Sequence, residues 1–381
     1  MTKRAWTLLM LFIVAALVVT GASQTSSSAA PAPPPSPKAA VRSQTRKLRT
    51  RPRRRGPLRR SAGRASTTGP RVDVLDDETV NEEQGYGKLV AVAVGDKRKF
   101  ESIWSWTKKN LERPDGLLAW QWKTGKVVDS QPAGDADLDI ARAFVLAGSK
   151  FAQPLWTKVG PSLGETILSS MTAPTSDGRI LLPGTWAAGQ APCYHIPSNA
   201  SPATFEELAK VTSDPRWQQL AVGFRTVTMR ILNATALPSG WAQVNAEGSV
   251  VPLAGPTGTG GTVEYGYSAG RLALRYAGSC NPADVALAAK LVARVSGKNP
   301  LLMQLDLGGT AVGTDPSPLG YVARAAAEAS SGNDRGAATD LKAADVLAQG
   351  TPTYYGLAWD ALGAFQLHAS ALGACSPLKG R

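Results

Sequence analysis

From about Val72 onward, apolar residues recur every three or four positions, and clusters of Gly and Pro cut the pattern into segments. That spacing places apolar side chains on one face of an α-helix. Helical segments read at residues 84–94, 99–111, 136–147, 202–210, 217–232, 283–295, 320–329, 337–348 and 355–371. In the first, Leu89, Val90, Val92 and Ala93 form the buried face. The breaks fall at Pro114-Asp115-Gly116, Leu182-Pro183-Gly184, Pro238-Ser239-Gly240 and the Gly-rich stretch 255–261. No alternating apolar–polar run is long enough to build a sheet of several strands. The expectation is an all-α domain with long loops that carry function, its successive helix pairs suited to a toroid of antiparallel hairpins.

The chain has 381 residues, and its 42 Lys+Arg against 29 Asp+Glu give a net charge of +13. A nucleic-acid ligand is the first thought, and the distribution of charge argues against it. Residues 1–71 hold 15 basic residues and no acid, so the rest of the chain is nearly neutral, with 27 basic against 29 acidic residues. The arginines lack the interleaved aromatics on which bases stack, so no specific nucleic-acid partner is expected. A hydrophobic fraction of 43% excludes a wholly disordered chain.

The N-terminus reads as a signal peptide over residues 1–22. Lys3 and Arg4 precede an apolar run from Leu8 to Val19, and Thr20-Gly21-Ala22 offers small residues for cleavage. Twelve apolar residues are short for a bilayer span. Secretion is therefore expected, with an uncleaved membrane anchor as the alternative. Residues 23–71 are rich in Ser, Pro and Arg, including Pro33-Pro34-Pro35 and Arg53-Arg54-Arg55. They read as a disordered basic linker, either attracted to an anionic cell-surface polymer or acting as a solvated tether. The folded domain is then residues 72–381. Of the three cysteines, two would pair outside the cell, Cys280 with Cys375 the favoured combination. Two histidines are too few for a His-based zinc site, so neither metal nor cofactor is expected.

Two acidic stretches stand out: Thr79-Val80-Asn81-Glu82-Glu83-Gln84-Gly85-Tyr86-Gly87 and Gly134-Asp135-Ala136-Asp137-Leu138-Asp139-Ile140-Ala141. Each opens a helix, where acids also serve as caps and complement the macrodipole. Between them lies Trp120-Gln121-Trp122. Tryptophan faces stack on pyranose rings, and glycoside hydrolysis needs one carboxylic acid to protonate the leaving oxygen and one carboxylate to activate water.

These stretches, in this order, resemble the family-8 glycoside hydrolases, a family of bacterial endoglucanases and cellulases. The resemblance continues through Leu181-Leu182-Pro183-Gly184, Ile196-Pro197-Ser198-Asn199, Gly240-Trp241, Tyr267-Ser268-Ala269-Gly270-Arg271 and Tyr354-Tyr355. It implies an (α/α)6 barrel, with an incomplete first hairpin because little chain precedes Glu82 that could form a helix. It implies a secreted, monomeric inverting endo-β-1,4-glucanase acting on a β-1,4-linked polysaccharide or oligosaccharide. Glu82 falls on the family's general acid, and Asp135 on its sugar-binding aspartate. Trp120, or its neighbour Trp122, falls on a stacking position. Tyr267 and Arg271 fall on the residues that flank the family's base, and with Tyr355 they are expected to bind substrate. An inverting pair would stand about 6.5–9.5 Å apart.

The family's base position is occupied by Ser268, which cannot take a proton from water unaided. Three readings stay open. Glu264 or another loop acid serves as base, Asp135 activates water itself, or hydrolysis is lost and the chain is a glycan-binding protein tethered near the cell surface. Two further departures are Lys88 in a slot usually apolar and Asn199 in one usually tyrosine.

Overall fold

The computed structural model describes residues 78–378, apart from 190, 259–260, 296–299, 369, 373–374 and 376–377. The expected signal peptide and basic linker lie outside the described residues. Five helical pairs follow one another: α1 (Asn81–Val94) with α2 (Lys97–Leu111), α3 (Gly134–Lys150) with α4 (Trp156–Ser170), α5 (Pro202–Thr212) with α6 (Arg216–Ala234), α7 (Tyr267–Ala277) with α8 (Pro282–Lys290), and α9 (Pro318–Ser330) with α10 (Asp334–Gly350). A last helix, α11 (Tyr354–His368), has no outer partner among the described residues.

The odd-numbered helices make a closed inner ring. Each packs on the next, and α11 returns to pack on α1. The even-numbered helices back the ring from outside. The molecule is thus the expected (α/α)6 barrel, with six inner helices and five outer ones among the described residues. No helix precedes α1 there, as the incomplete first hairpin anticipates. The turn Ser370–Leu372 folds back on α1 and α11. It is held by Arg142, whose Nη2 donates to the Leu372 carbonyl at 2.7 Å. A disulfide joins Cys280 to Cys375, as favoured from the sequence, and Cys193 is left free and buried.

Inner helices are covered on nearly every side. Ala323, Ala325, Ala326 and Ala327 of α9 are all buried, as are Leu357, Ala358, Trp359 and Ala361 of α11. Small residues let such helices approach their neighbours closely. Gly85 of α1 shows the limit: a Cβ there would stand 3.2 Å from Cβ of Asp139 on α3. The outer α2 instead buries one face, through Phe100, Ile103, Thr107 and Leu111.

The six inner helices begin at the same end of the barrel, and the loops feeding them carry short strands. β1 (Glu78–Val80), β2 (Ala119–Lys123) and β3 (Lys126–Pro132) form one antiparallel sheet; β4 (Thr172–Thr175) and β5 (Gly178–Leu181) pair; β6 (Cys193–His195), β7 (Trp241–Val244) and β8 (Val250–Leu253) form a third sheet. This corrects the expectation that no sheet of several strands would form. Each strand is too short to show alternation, and the sheets brace loops rather than build the core. Two helices were also not read from the sequence. α4 carries Pro161 in its interior, and α7 is short and interrupted by Gly270.

Lys88 explains how a cation can occupy an apolar slot. Its side chain is fully buried, and Nζ lies 3.7 Å from the centroid of Phe144, 4.2 Å from Trp104 and 4.9 Å from Phe100. Among the described residues Nζ has no hydrogen-bond partner. Burial holds its pKa well below the usual lysine value, and the side chain packs among rings.

Candidate active site

At the end where the inner helices begin, a groove with an empty volume of about 920 Å³, part of it open to solvent, runs across the barrel. Its wall includes Glu82 from α1, Trp120 and Asp129 from the β2–β3 hairpin, and Asp135 from α3. Trp186, Trp241, Ser268 and Arg271 complete the part used below. Helix N-termini present unpaired N–H groups and a partial positive charge, which suits an end of the barrel crowded with carboxylates.

The centre of the site is an arginine shared by two acids. Arg271, 4% exposed, sits one turn into α7. Its Nη1 donates to Asp135 Oδ2, to Glu82 Oε1 at 3.4 Å and to the Tyr86 hydroxyl at 3.3 Å. Its Nη2 donates to Asn199 Oδ1 at 3.5 Å, and its Nε to the Ser268 carbonyl at 3.3 Å. Asn199, where the family prefers tyrosine, therefore holds the guanidinium from a second side. Glu82 and Asp135, 53 positions apart in sequence, lie side by side on the same guanidinium nitrogen.

One positive charge cannot balance two buried carboxylates, so one of them keeps a proton. Burial pushes the Glu82 carboxyl up to about 8. The Asp135 charge adds to the shift, and Arg271 works against it. A glutamic acid protonated at neutral pH on the wall of a groove has the chemistry to donate a proton there. Its neighbour Glu83 is also raised well above the usual range, chiefly by burial. Glu83 is not part of the groove wall; its backbone carbonyl accepts from the Tyr354 hydroxyl at 2.7 Å.

One turn further along the same helices, Arg275 donates two hydrogen bonds to Asp139, one of them at 2.6 Å. Asp137 is buried too, and its Oδ1 accepts from the Leu118 amide at 3.2 Å. The Asp135-x-Asp137-x-Asp139 run thus divides into one groove residue, one that fixes the β2 loop and one that pins α3 to α7.

Of the two tryptophans offered for stacking, Trp120 lines the groove. Trp122 is only 8% exposed and packs edge-on against Trp106, with centroids 5.5 Å apart. Tyr355 contacts both Tyr86 and Tyr267, at 6.4 and 6.0 Å between centroids, and its hydroxyl donates to the Tyr267 carbonyl at 3.2 Å. These tyrosines form a rigid wall beside Arg271. Ser268 does line the groove. Glu264 is not one of its lining residues; its Oε1 accepts from Gln304 Nε2 at 3.0 Å.

Sequence reasoning missed Asp129 and Trp186, and quoted Trp241 without a role. Trp186 is 39% exposed, with Tyr194 and Trp241 at 6.0 and 6.4 Å from its ring. A signal was there: a tryptophan three residues beyond Pro183, in a Gly-containing loop, is one that the core does not need. Among the described residues, no group of three or more His, Cys, Asp and Glu is placed to hold a metal ion.

Known proteins share this fold. Residues 64–292 match the model of the glycosyl hydrolases family 8. The chain is 31% identical over 225 residues to a probable endoglucanase of Novacetimonas hansenii, a stretch covering 57% of this chain and 63% of that protein, less than two thirds of its length. Its fold superposes on the endo-β-1,4-glucanase from Acetobacter xylinum with a TM-score of 0.64 at 25% identity, covering 78% of this chain and 92% of the other. A cold-adapted family 8 xylanase, solved in complex with substrate, superposes with a TM-score of 0.64 at 20% identity, covering 79% and 80%.

Proposed function

The chain belongs to glycosyl hydrolase family 8, and from that premise we propose that it is a secreted endo-β-1,4-glucanase that cuts with inversion, Glu82 acting as general acid. The observation that carries this reading is Glu82 itself: buried, pushed up to about 8, and set on the wall of a groove that three tryptophans also line. Trp120 and Trp186 give the glucan apolar platforms. Arg271 and Asp135 hold the sugar at the cleavage point. Glu82 passes its proton to the glycosidic oxygen as the bond to C1 breaks, while water enters from the opposite face and gives up a proton to a carboxylate.

Export is supported by the charged start and apolar run ahead of Thr20-Gly21-Ala22. The Cys280–Cys375 disulfide suits an oxidising compartment. The basic linker then holds the barrel near an anionic surface polymer.

The test is release of reducing ends from soluble carboxymethyl-cellulose by the wild type beside Glu82→Gln. The expected outcome is release by the wild type and a loss of about 10²–10⁴-fold in the variant. A flat trace for both would end the hydrolase reading. One observation favours a second reading, a glycan-binding protein without turnover: serine stands in the base position. Quenching of tryptophan fluorescence by cello-oligosaccharides, with no release, would select it. Xylan in the same assay separates glucanase from xylanase.

A further inference from the structure

Resting on the hydrolase reading, the open question is which group takes the proton from water once Ser268 cannot. Among the described residues, the groove wall carries three carboxylates: Glu82, Asp129 and Asp135. Glu82 holds its proton for the leaving oxygen. Asp135 is hydrogen-bonded by Arg271 and lies against the Glu82 carboxyl, so its lone pairs are already drawn upon. Glu264 spends its carboxylate on Gln304, away from the groove lining.

Asp129 differs from all three. No cation pairs with it among the described residues. Among the described residues its one hydrogen bond is local, Oδ1 accepting from the Gln131 amide at 2.9 Å, which leaves Oδ2 without a partner there. It sits on β3 opposite Gln121 of β2, where the pairing register shifts on either side of Gln121. Such irregularities re-aim side chains and are common beside active sites. The same hairpin carries Trp120, so the sugar platform and this carboxylate are positioned by one rigid unit, while Glu82 and Arg271 come from the helices.

We propose that Asp129, from the β2–β3 hairpin, is the general base of this enzyme, replacing the carboxylate that the family carries at the position of Ser268. In the step, the water oxygen forms the bond to C1 and its proton passes to Asp129 Oδ2. The bond from C1 to the glycosidic oxygen breaks, and that oxygen receives the Glu82 proton. Proton relay through solvent then restores both acids to their starting states.

Asp129→Asn and Asp129→Ala in the full chain test this, with cellohexaose as substrate, circular dichroism to confirm folding, and sodium azide as a nucleophile that needs no deprotonation. The expected result is a fall of about 10²–10⁴-fold in kcat, with KM changed little. Azide should restore turnover in the variants and yield a glycosyl azide of α configuration by NMR. A folded variant that retains wild-type turnover within a few-fold overturns the assignment. So does a lost rate that azide does not restore, which would mark Asp129 as a sugar-binding or structural group. A Glu264→Gln variant that takes the loss and the azide rescue in its place overturns it too. If the wild type itself releases nothing from cellohexaose or carboxymethyl-cellulose, the hydrolase reading has failed, and Asp129 falls with it. Wild-type release beside an unaffected Asp129 variant removes this inference alone.

Discussion

Two rungs of one ladder, a helical turn apart, connect α7 to α3. On the lower rung, Arg275 meets Asp139, one cation with one carboxylate joined by two hydrogen bonds. On the upper rung, Arg271 meets Asp135, and Glu82 adds a second acid. The spacing is i, i+4 on both helices, so the two rungs share the same backbone geometry. What separates them is charge count. The lower rung is neutral as a plain ion pair and serves as a strut. The upper rung is neutral only when one acid holds a proton, and that proton faces a groove. A third side chain converts a structural pair into a proton store.

The largest effect that could break this comparison is on the rate. Glu82→Gln should lower kcat/KM on carboxymethyl-cellulose by about 10²–10⁴-fold, roughly 3–5 kcal/mol in the barrier, with no fall in the urea midpoint. Asp139→Asn should leave the barrier alone and cost stability instead. If the two variants behave alike, the rungs do not divide the work.

Stability comes next. Arg275→Met leaves the Asp139 carboxylate buried without its partner, and breaking such a pair costs about 3–5 kcal/mol. Urea unfolding followed by circular dichroism measures it, and the rate per folded molecule should hold.

The proton store also gives a pH signature. Glu82 in the folded barrel is pushed up to about 8 from an ordinary carboxyl value of 4.5. Between these values the folded chain binds a proton that the unfolded chain has released, so stability falls as pH rises through that window and is unpenalised below it. The slope approaches about 1.4 kcal/mol per pH unit, and Glu82→Gln should flatten it. The alkaline limb of the kcat/KM profile, which reports the free protein's acid, should likewise centre near pH 8.

The smallest effect concerns Lys88. Its folded pKa lies well below 10.5, so between the two values the unfolded chain binds the extra proton and stability falls as pH drops from about 10.5 toward the folded value. Lys88→Met removes that penalty and the unpartnered amine. Thermal denaturation at neutral pH should show a gain of about 1–3 kcal/mol.

Much of the ladder was legible in the sequence. Glu82, Asp135 and Arg271 fall on a motif pattern, and amphipathic helices such as α2 announce themselves by their spacing. The rest was hidden for physical reasons. α4 and α7 contain Pro or Gly where a helix is not expected. The short strands hold loops and bury little, so they leave no alternating trace. Asp129 stands in an exposed hairpin, where a carboxylate looks like ordinary surface, and only the fold brings it to the groove. Trp122 and Trp120 are near twins in sequence, and a regular strand would point both to one face; the register shifts on either side of Gln121 break that alternation, and one goes to the core, the other to the groove.

The ring closes where α11 comes back to α1. The Tyr354 hydroxyl reaches the carbonyl of Glu83, a contact spanning 271 positions. Residues at the start of the domain therefore wait, during synthesis, for residues near the finish. A nascent chain emerging stepwise has its proton donor early and the wall that encloses it late. Such long-range closure slows assembly, because the loop entropy must be lost before the contact forms. The acid cluster is thus enclosed only once α11 is in place.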